Sequence, residues 1–117
     1  MKKVNILGTT YKVYANVPYD KDPSLEGVYG YTDSYGKRIV VADIRTDPGW
    51  ENASDEAVRE NYSCTMRHEI IHAYLVESGL NSSSNGVNCW ARNEEMVDWF
   101  AVQGPKIYKV WKEAGAL

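Results

Sequence analysis

The stretch from Ser54 to Gly79 decides the fold, and its sequence is SDEAVRENYSCTMRHEIIHAYLVESG. Ser54 is a favourable N-cap residue, and Asp55 and Glu56 place negative charge in the first helical turn. Neither proline nor glycine follows until Gly79, a residue type that is common just after a helix C-terminus. The sequence therefore predicts one long helix, whose second half is apolar enough to be buried.

Both histidines of the chain, His68 and His72, lie within this predicted helix. Residues four apart stack on one helix face, so both imidazoles can reach a single ion from the same side. Glu69 lies about 100° further around the axis, where its carboxylate can address a water without ligating the ion. This pattern is typical of zinc hydrolases, with both histidines as metal ligands and Glu69 as the catalytic base.

A catalytic zinc site uses three protein ligands, and no third histidine remains for this one. A second predicted helix, from about Trp90 to Gln103, offers Glu94, Glu95 and Asp98. Glu94 and Asp98 lie about 40° apart on the stripe that apolar neighbours mark as inward-facing, whereas Glu95 lies about 100° away. We therefore expect Glu94 to be the third ligand, with Glu95 as the alternative. Asp98 would accept a hydrogen bond from a ligating histidine.

The motif His68-Glu69-x-x-His72, followed by Glu94-x-x-x-Asp98, resembles the gluzincin branch of zinc metallopeptidases. More narrowly, the run EEMVDWFA from Glu94 to Ala101 is similar to the segment of ImmA/IrrE-type peptidases in which glutamate precedes Asn or Asp and then Phe-Ala. Met96-Val97 stands where those peptidases commonly carry Glu-Ala. The resemblance implies a zinc metallopeptidase that cleaves an intracellular protein, such as a regulator of a phage or mobile element.

Strand-like segments fill the first third of the chain. We predict one hairpin from Val4–Leu7 and Tyr11–Val17, and a second from Val28–Thr32 and Arg38–Ile44. Together they form a small antiparallel sheet of roughly three to four strands. The resemblance implies a substrate that binds as an added strand along an exposed sheet edge. The expected edge strand comprises Arg38, Ile39, Val40, Val41 and Ala42.

The second helix is expected to end at Gly104, and Pro105 can open a third helix that continues to about Ala114. The predicted fold is α+β, with the small sheet packed on the metal-binding helix and the two later helices closing the core. A chain of 117 residues has room for one domain, so residues 1–117 are predicted to form a single unit.

Composition excludes several classes of function. The formal net charge is −3, and the chain has no block of Lys or Arg with which to grip a phosphate backbone, so we expect no direct nucleic-acid partner. No segment approaches the roughly 20 apolar residues that span a membrane, and the N-terminus lacks the apolar run of a signal peptide. These features predict a cytoplasmic protein, and the resemblance to zinc peptidases implies a protein or peptide substrate. Cys64 and Cys89 are expected to be free thiols.

Two other functions remain open at this point. The protein could be a non-catalytic, metal-stabilised module that binds a partner protein through its exposed strand. An SprT-like protease acting on DNA-bound proteins would require a third histidine and basic patches, both of which the sequence lacks. The sequence does not rank the candidates for a second oxyanion donor, which are Tyr62, Tyr74, Tyr108 and Arg67.

Overall fold

A computed structural model describes residues 1–86 and 88–117. Four strands precede two long helices along the chain, which confirms the α+β fold class. Short 3-10 helices occupy several of the connections. The elements are β1 (Lys2–Ile6), β2 (Thr9–Val17), β3 (Gly30–Asp33), β4 (Arg38–Ala42), α1 (Asp55–Glu77) and α2 (Glu94–Glu113).

Both predicted hairpins are present. β1 pairs antiparallel with β2, and β3 pairs antiparallel with β4. The first hairpin turns at Leu7 and Gly8, whose φ angles are 50° and 93°. Two consecutive positive φ values are typical of the tight turns that match the twist of a hairpin, and glycine adopts them without steric cost.

The sheet is mixed, so the prediction of a purely antiparallel sheet is wrong. The strand order is β1-β2-β4-β3, and β2 runs parallel to β4. The chain leaves β2, forms 3-10 helices at Tyr19–Lys21 and Pro23–Leu25, and enters the sheet again at its far edge. β4 then returns between β2 and β3. The two hairpins therefore lie side by side and are joined through the parallel pairing of β2 with β4.

The strand Arg38–Ala42 is an inner strand, so the prediction that it forms the substrate-binding edge is also wrong. Ile39, Val40, Val41 and Ala42 are all buried. A continuous apolar run of this kind is typical of a strand covered on both faces. The edges of the sheet are β1 and β3, and β3 is the edge nearest the predicted site residues.

Alternate residues of β4 point to opposite faces of the sheet and pack into two separate cores. On one face, Ile39 and Val41 join Tyr11 and Val13 of β2 against Ala73 of α1. On the other face, Val40 and Ala42 pack with Leu25 from a 3-10 helix. The first core holds α1 against the sheet, so the face of α1 that carries the histidines lies close to β3.

α1 begins and ends where the sequence predicts. The side chain of Ser54 accepts a hydrogen bond from the backbone N–H of Ala57, and the residue after the C-cap, Gly79, has a φ of 86°. The interruption-free stretch between these residues forms a helix of 23 residues. Among residues 1–86 and 88–117, neither α1 nor α2 is both long and apolar enough to cross a membrane.

α2 differs from the prediction at its start and in its length. Trp90–Arg92 is a separate 3-10 helix, and α2 begins at Glu94 because Asn93 caps it by accepting a hydrogen bond from the N–H of Met96. The expected third helix does not exist as a separate element, since α2 continues through Gly104 and Pro105 to Glu113. Its buried residues are Val97 and Ala101, and Val97 packs against Leu75 of α1.

Candidate metal centre

Both histidines lie on one face of α1, as their spacing predicts. The Nε2 atoms of His68 and His72 are 3.1 Å apart, and the two rings meet edge to face. Both side chains are mostly buried, with 15% and 22% of their surface exposed. The helix therefore presents two imidazole nitrogens to one point.

Glu94 approaches that point from the first turn of α2. One carboxylate oxygen lies 3.1 Å from Nε2 of His68, and the other lies 2.9 Å from Nε2 of His72. The cap made by Asn93 fixes the start of α2, and the positive end of the helix dipole favours a carboxylate there. The side chain is 66% exposed, so the inward position expected for Glu94 is in fact the rim of a cleft.

These three residues form a group that could hold a metal ion. One ligand atom from each of His68, His72 and Glu94 lies within 4.8 Å of the other two. Electron-rich atoms so close together repel one another unless they share positive charge, which a metal ion or protons on the imidazoles can supply. Imidazole nitrogen and carboxylate oxygen are also the donors that zinc and similar divalent ions bind in proteins.

Asp98 lies one turn after Glu94 and contacts the other nitrogen of His68. Its Oδ1 is 2.7 Å from Nδ1 of His68. When Nδ1 carries a proton and donates it to this carboxylate, the lone pair of Nε2 remains available for a metal. Asp98 therefore occupies the position expected for it, although 69% of its side chain is exposed.

Glu69 is the buried carboxylate beside the group, with 6% of its surface exposed. Its Oε1 lies 3.9 Å from Nε2 of His68, and the Oγ1 of Thr32 lies 2.8 Å from its Oε2. Burial raises the pKa of Glu69 above its ordinary value, while the hydrogen bond from Thr32 and the neighbouring histidines lower it. The carboxylate thus has one oxygen held by Thr32 and one directed toward the histidines.

Two adjoining cavities meet at the site, with volumes of about 370 Å³ and 290 Å³. They share Gly30 of β3 and Glu69 of α1 as lining residues. The larger cavity extends along Val28 and Tyr29, and the smaller one along Tyr31 and Thr32. The lining places the site beside the edge strand β3, so an extended chain lying along β3 would pass the histidines.

Other residues named from the sequence do not join this group. Glu95 is exposed and lines a separate depression with Trp90 and Trp99. Arg67 donates from Nε to the backbone carbonyl of Ala101. Cys64 lines the larger cavity as a half-buried free thiol and lies outside the metal-binding group among residues 1–86 and 88–117.

Sequence reasoning missed the contribution of β3. Gly30 has no room for a side chain, because a Cβ there would lie 2.7 Å from the backbone oxygen of Val40 and 2.9 Å from Cγ2 of Thr65. Gly30 and Thr32 therefore face α1 at alternate positions of one strand, and Thr32 reaches Glu69. A glycine and a hydroxyl residue on the same face of a short strand are too weak a local signal to reveal this role.

The chain matches no protein-family model, no curated protein and no solved structure. The resemblance to ImmA/IrrE-type peptidases thus depends on the two helical motifs, HExxH from His68 and ExxxD from Glu94. The arrangement of side chains around these motifs supplies the physical basis for assigning a function.

Proposed function

We propose that this protein is a zinc-dependent metallopeptidase that hydrolyses peptide bonds of a protein substrate. One observation carries the proposal, namely the convergence of His68, His72 and Glu94 within 4.8 Å next to the buried carboxylate of Glu69. Ligands alone would be compatible with a structural metal. A carboxylate held beside them, outside the ligand group, is what hydrolysis additionally requires.

The donor set favours zinc over the other common divalent ions. Two imidazole nitrogens with one carboxylate match the ligands of catalytic zinc, whereas magnesium and calcium prefer oxygen donors. Three protein ligands leave a fourth position for water or substrate, as catalytic zinc requires. When bound, zinc would polarise the scissile carbonyl and lower the pKa of a coordinated water to about 7.

Glu69 is suited to moving the proton. Its Oε2 is held by Thr32, so Oε1 is the oxygen that accepts a proton from the attacking water and passes it to the leaving amine. Asp98 orients His68 by accepting a hydrogen bond from Nδ1–H, which keeps Nε2 directed at the metal. Glu69 and His68 therefore each have a neighbouring side chain that fixes their orientation.

The substrate is proposed to lie along β3. This strand pairs with β4 on one side and, among the described residues, forms the last strand of the sheet. Both cavities follow β3, and a peptide added to its free edge would present its backbone to the metal. By the resemblance to ImmA/IrrE-type peptidases, this peptide belongs to an intracellular regulator of a phage or mobile element.

Three variants test the proposal, with metal content measured on tag-free protein and cleavage measured on labelled casein and by terminal labelling of a proteome. Glu69→Gln should retain stoichiometric zinc and lose cleavage by roughly 100- to 10,000-fold, the usual contribution of a general base. Glu94→Ala should lose zinc. The matched control Glu95→Ala, from the adjacent exposed position, should keep both zinc and cleavage.

Two outcomes would contradict the proposal. Full cleavage by Glu69→Gln would remove Glu69 from the reaction. Stoichiometric zinc with no cleavage of any protein by the unmodified chain would instead favour the metal-stabilised interaction module.

A further inference from the structure

Arg67 makes a contact that neither the metal site nor the proposed reaction explains. Its Nε lies 2.6 Å from the backbone carbonyl oxygen of Ala101, so the guanidinium of α1 donates a hydrogen bond to the backbone of α2. The two residues are 34 positions apart in the sequence. A side chain rarely finds a free acceptor in the middle of a helix, because carbonyls there normally bond to the N–H four residues later.

Pro105 is the reason that this acceptor is free. The carbonyl of Ala101 would bond to the N–H of residue 105, but proline has no N–H to donate. A buried carbonyl without a donor destabilises the folded state, because its hydrogen bonds to water are lost without replacement. Gly104 relieves part of the steric conflict, because one of the groups that clash with a following proline ring is the Cβ, which glycine lacks. Arg67 supplies the donor that Pro105 lacks.

We propose that Arg67 is a positioning residue of the metal site, which replaces the donor missing at Pro105 and thereby holds α2 in register with α1. Pro105 and Arg67 act as a pair. The proline leaves the carbonyl of Ala101 without its helical donor, and the arginine donates a hydrogen bond to that carbonyl. The inference rests on the proposed function in one respect, since Glu94 and Asp98 are the side chains on α2 that are positioned.

The hydrogen bond from Arg67 adds a polar contact to the apolar packing between α1 and α2. The buried residues of α2 are Val97 and Ala101. Among residues 1–86 and 88–117, the other side-chain hydrogen bonds and ion pairs between α1 and α2 are those of the site itself, from Glu94 and Asp98 to the histidines. Arg67 binds one turn beyond Asp98, so it fixes the helix at a point that the metal ligands do not use.

A double-mutant cycle between Arg67 and Pro105 tests the inference directly. Arg67→Met removes the donors and keeps an unbranched apolar stem, while Pro105→Ala restores the backbone N–H to Ala101. The measured quantities are the zinc dissociation constant, by chelator competition, and the urea midpoint of the zinc-free protein. Arg59→Met, at an exposed position two turns earlier on α1, is the matched control.

Arg67→Met should raise the zinc dissociation constant roughly 10-fold, as removal of groups that orient metal ligands does. In the Pro105→Ala background the same substitution should change it by less than about threefold, because the helix then supplies its own donor. Arg59→Met should leave it unchanged. If Arg67→Met alone fails to fold, recovery of folding in the double variant supports the same coupling, and failure of the double variant contradicts it.

Two other results would overturn the inference. Equal losses of zinc affinity in both backgrounds would show that Arg67 acts independently of Pro105. A lower urea midpoint with an unchanged zinc dissociation constant would show a structural role without positioning. If the unmodified protein binds no zinc, the proposed function fails separately. The urea midpoints then decide the inference, which predicts a loss from Arg67→Met that Pro105→Ala removes.

Discussion

Oδ1 of Asp98 lies 2.7 Å from Nδ1 of His68, on the side of the ring opposite the nitrogen that approaches Glu94. One imidazole is thus held between two carboxylates that come from successive turns of α2. The contact with Asp98 favours the tautomer with its proton on Nδ1, in which the lone pair of Nε2 is free to coordinate a metal ion. Because both carboxylates belong to one helix, any shift of α2 moves both of them relative to His68.

Replacing Asp98 should weaken metal binding without abolishing it. Asp98→Ala removes the acceptor for Nδ1–H, and we expect the zinc dissociation constant to rise by about 10- to 100-fold. Asp98→Asn keeps an oxygen acceptor and should raise the zinc dissociation constant by a smaller factor. Isothermal titration with zinc measures both, with Glu95→Ala as the control on the same helix. An unchanged dissociation constant for Asp98→Ala would remove this residue from the site.

Replacing Thr32 should slow cleavage while the metal stays bound. Thr32→Val keeps the shape of the side chain and deletes the hydroxyl, which lies 2.8 Å from Oε2 and 2.9 Å from the backbone carbonyl oxygen of Glu69. A hydrogen bond to a charged group contributes about 1.5–3 kcal/mol, so kcat should fall roughly 10- to 100-fold. Zinc content and kcat are measured together, and Thr10→Val at an exposed position of β2 serves as the control. Loss of zinc together with kcat would show that Thr32 supports the ligands rather than the base.

Adding one methyl group to β3 should disturb the site from the strand side. Gly30→Ala would place a Cβ 2.7 Å from the backbone oxygen of Val40 and 2.9 Å from Thr65, so β3 or α1 must move. Overpacking of this kind costs about 1–3 kcal/mol, which urea unfolding measures. Gly86→Ala is the matched control, since a Cβ there meets nothing within 4 Å. Equal stability of the two variants would show that the close approach at Gly30 relaxes freely.

Local signals in the sequence account for what could be predicted about fold and site. Ser54 and Gly79 determine the ends of α1, and the spacing of His68 and His72 on that helix places both rings on one face. Glu94 could be selected because the helical period separates it from Glu95. Each of these inferences depends on residues within a few turns of one another, where backbone geometry alone relates their positions.

Contacts distant in sequence account for what could not be predicted. α2 continues through Pro105, and the carbonyl of Ala101 accepts a hydrogen bond from Arg67 of another helix. No sequence window around Pro105 contains that contact. The order of the strands depends likewise on how two separately recognisable hairpins pack side by side. A continuous apolar run such as Ile39 to Ala42 is typical of an inner strand, but the substrate-binding edge was placed there from the resemblance to zinc peptidases.

A second cluster, at the far end of α1, should make stability depend on pH. Glu77 accepts hydrogen bonds from Lys37, Tyr11 and Thr9, and the bond from Lys37 contributes most to lowering the pKa of Glu77 below its ordinary value of 4.5. A carboxyl group with a lowered folded-state pKa stabilises the protein above its unfolded-state pKa, and this contribution is lost as the pH falls through the folded-state value.

Glu77→Gln should therefore lower the free energy of unfolding at neutral pH, with a difference from the unmodified protein that shrinks as the solution is acidified below pH 4.5. Urea unfolding across this range measures the difference, and Glu60→Gln, at an exposed position of α1, should show no such trend. A difference that stays constant on acidification would mean that the cluster stabilises α1 through packing rather than through the charge of Glu77.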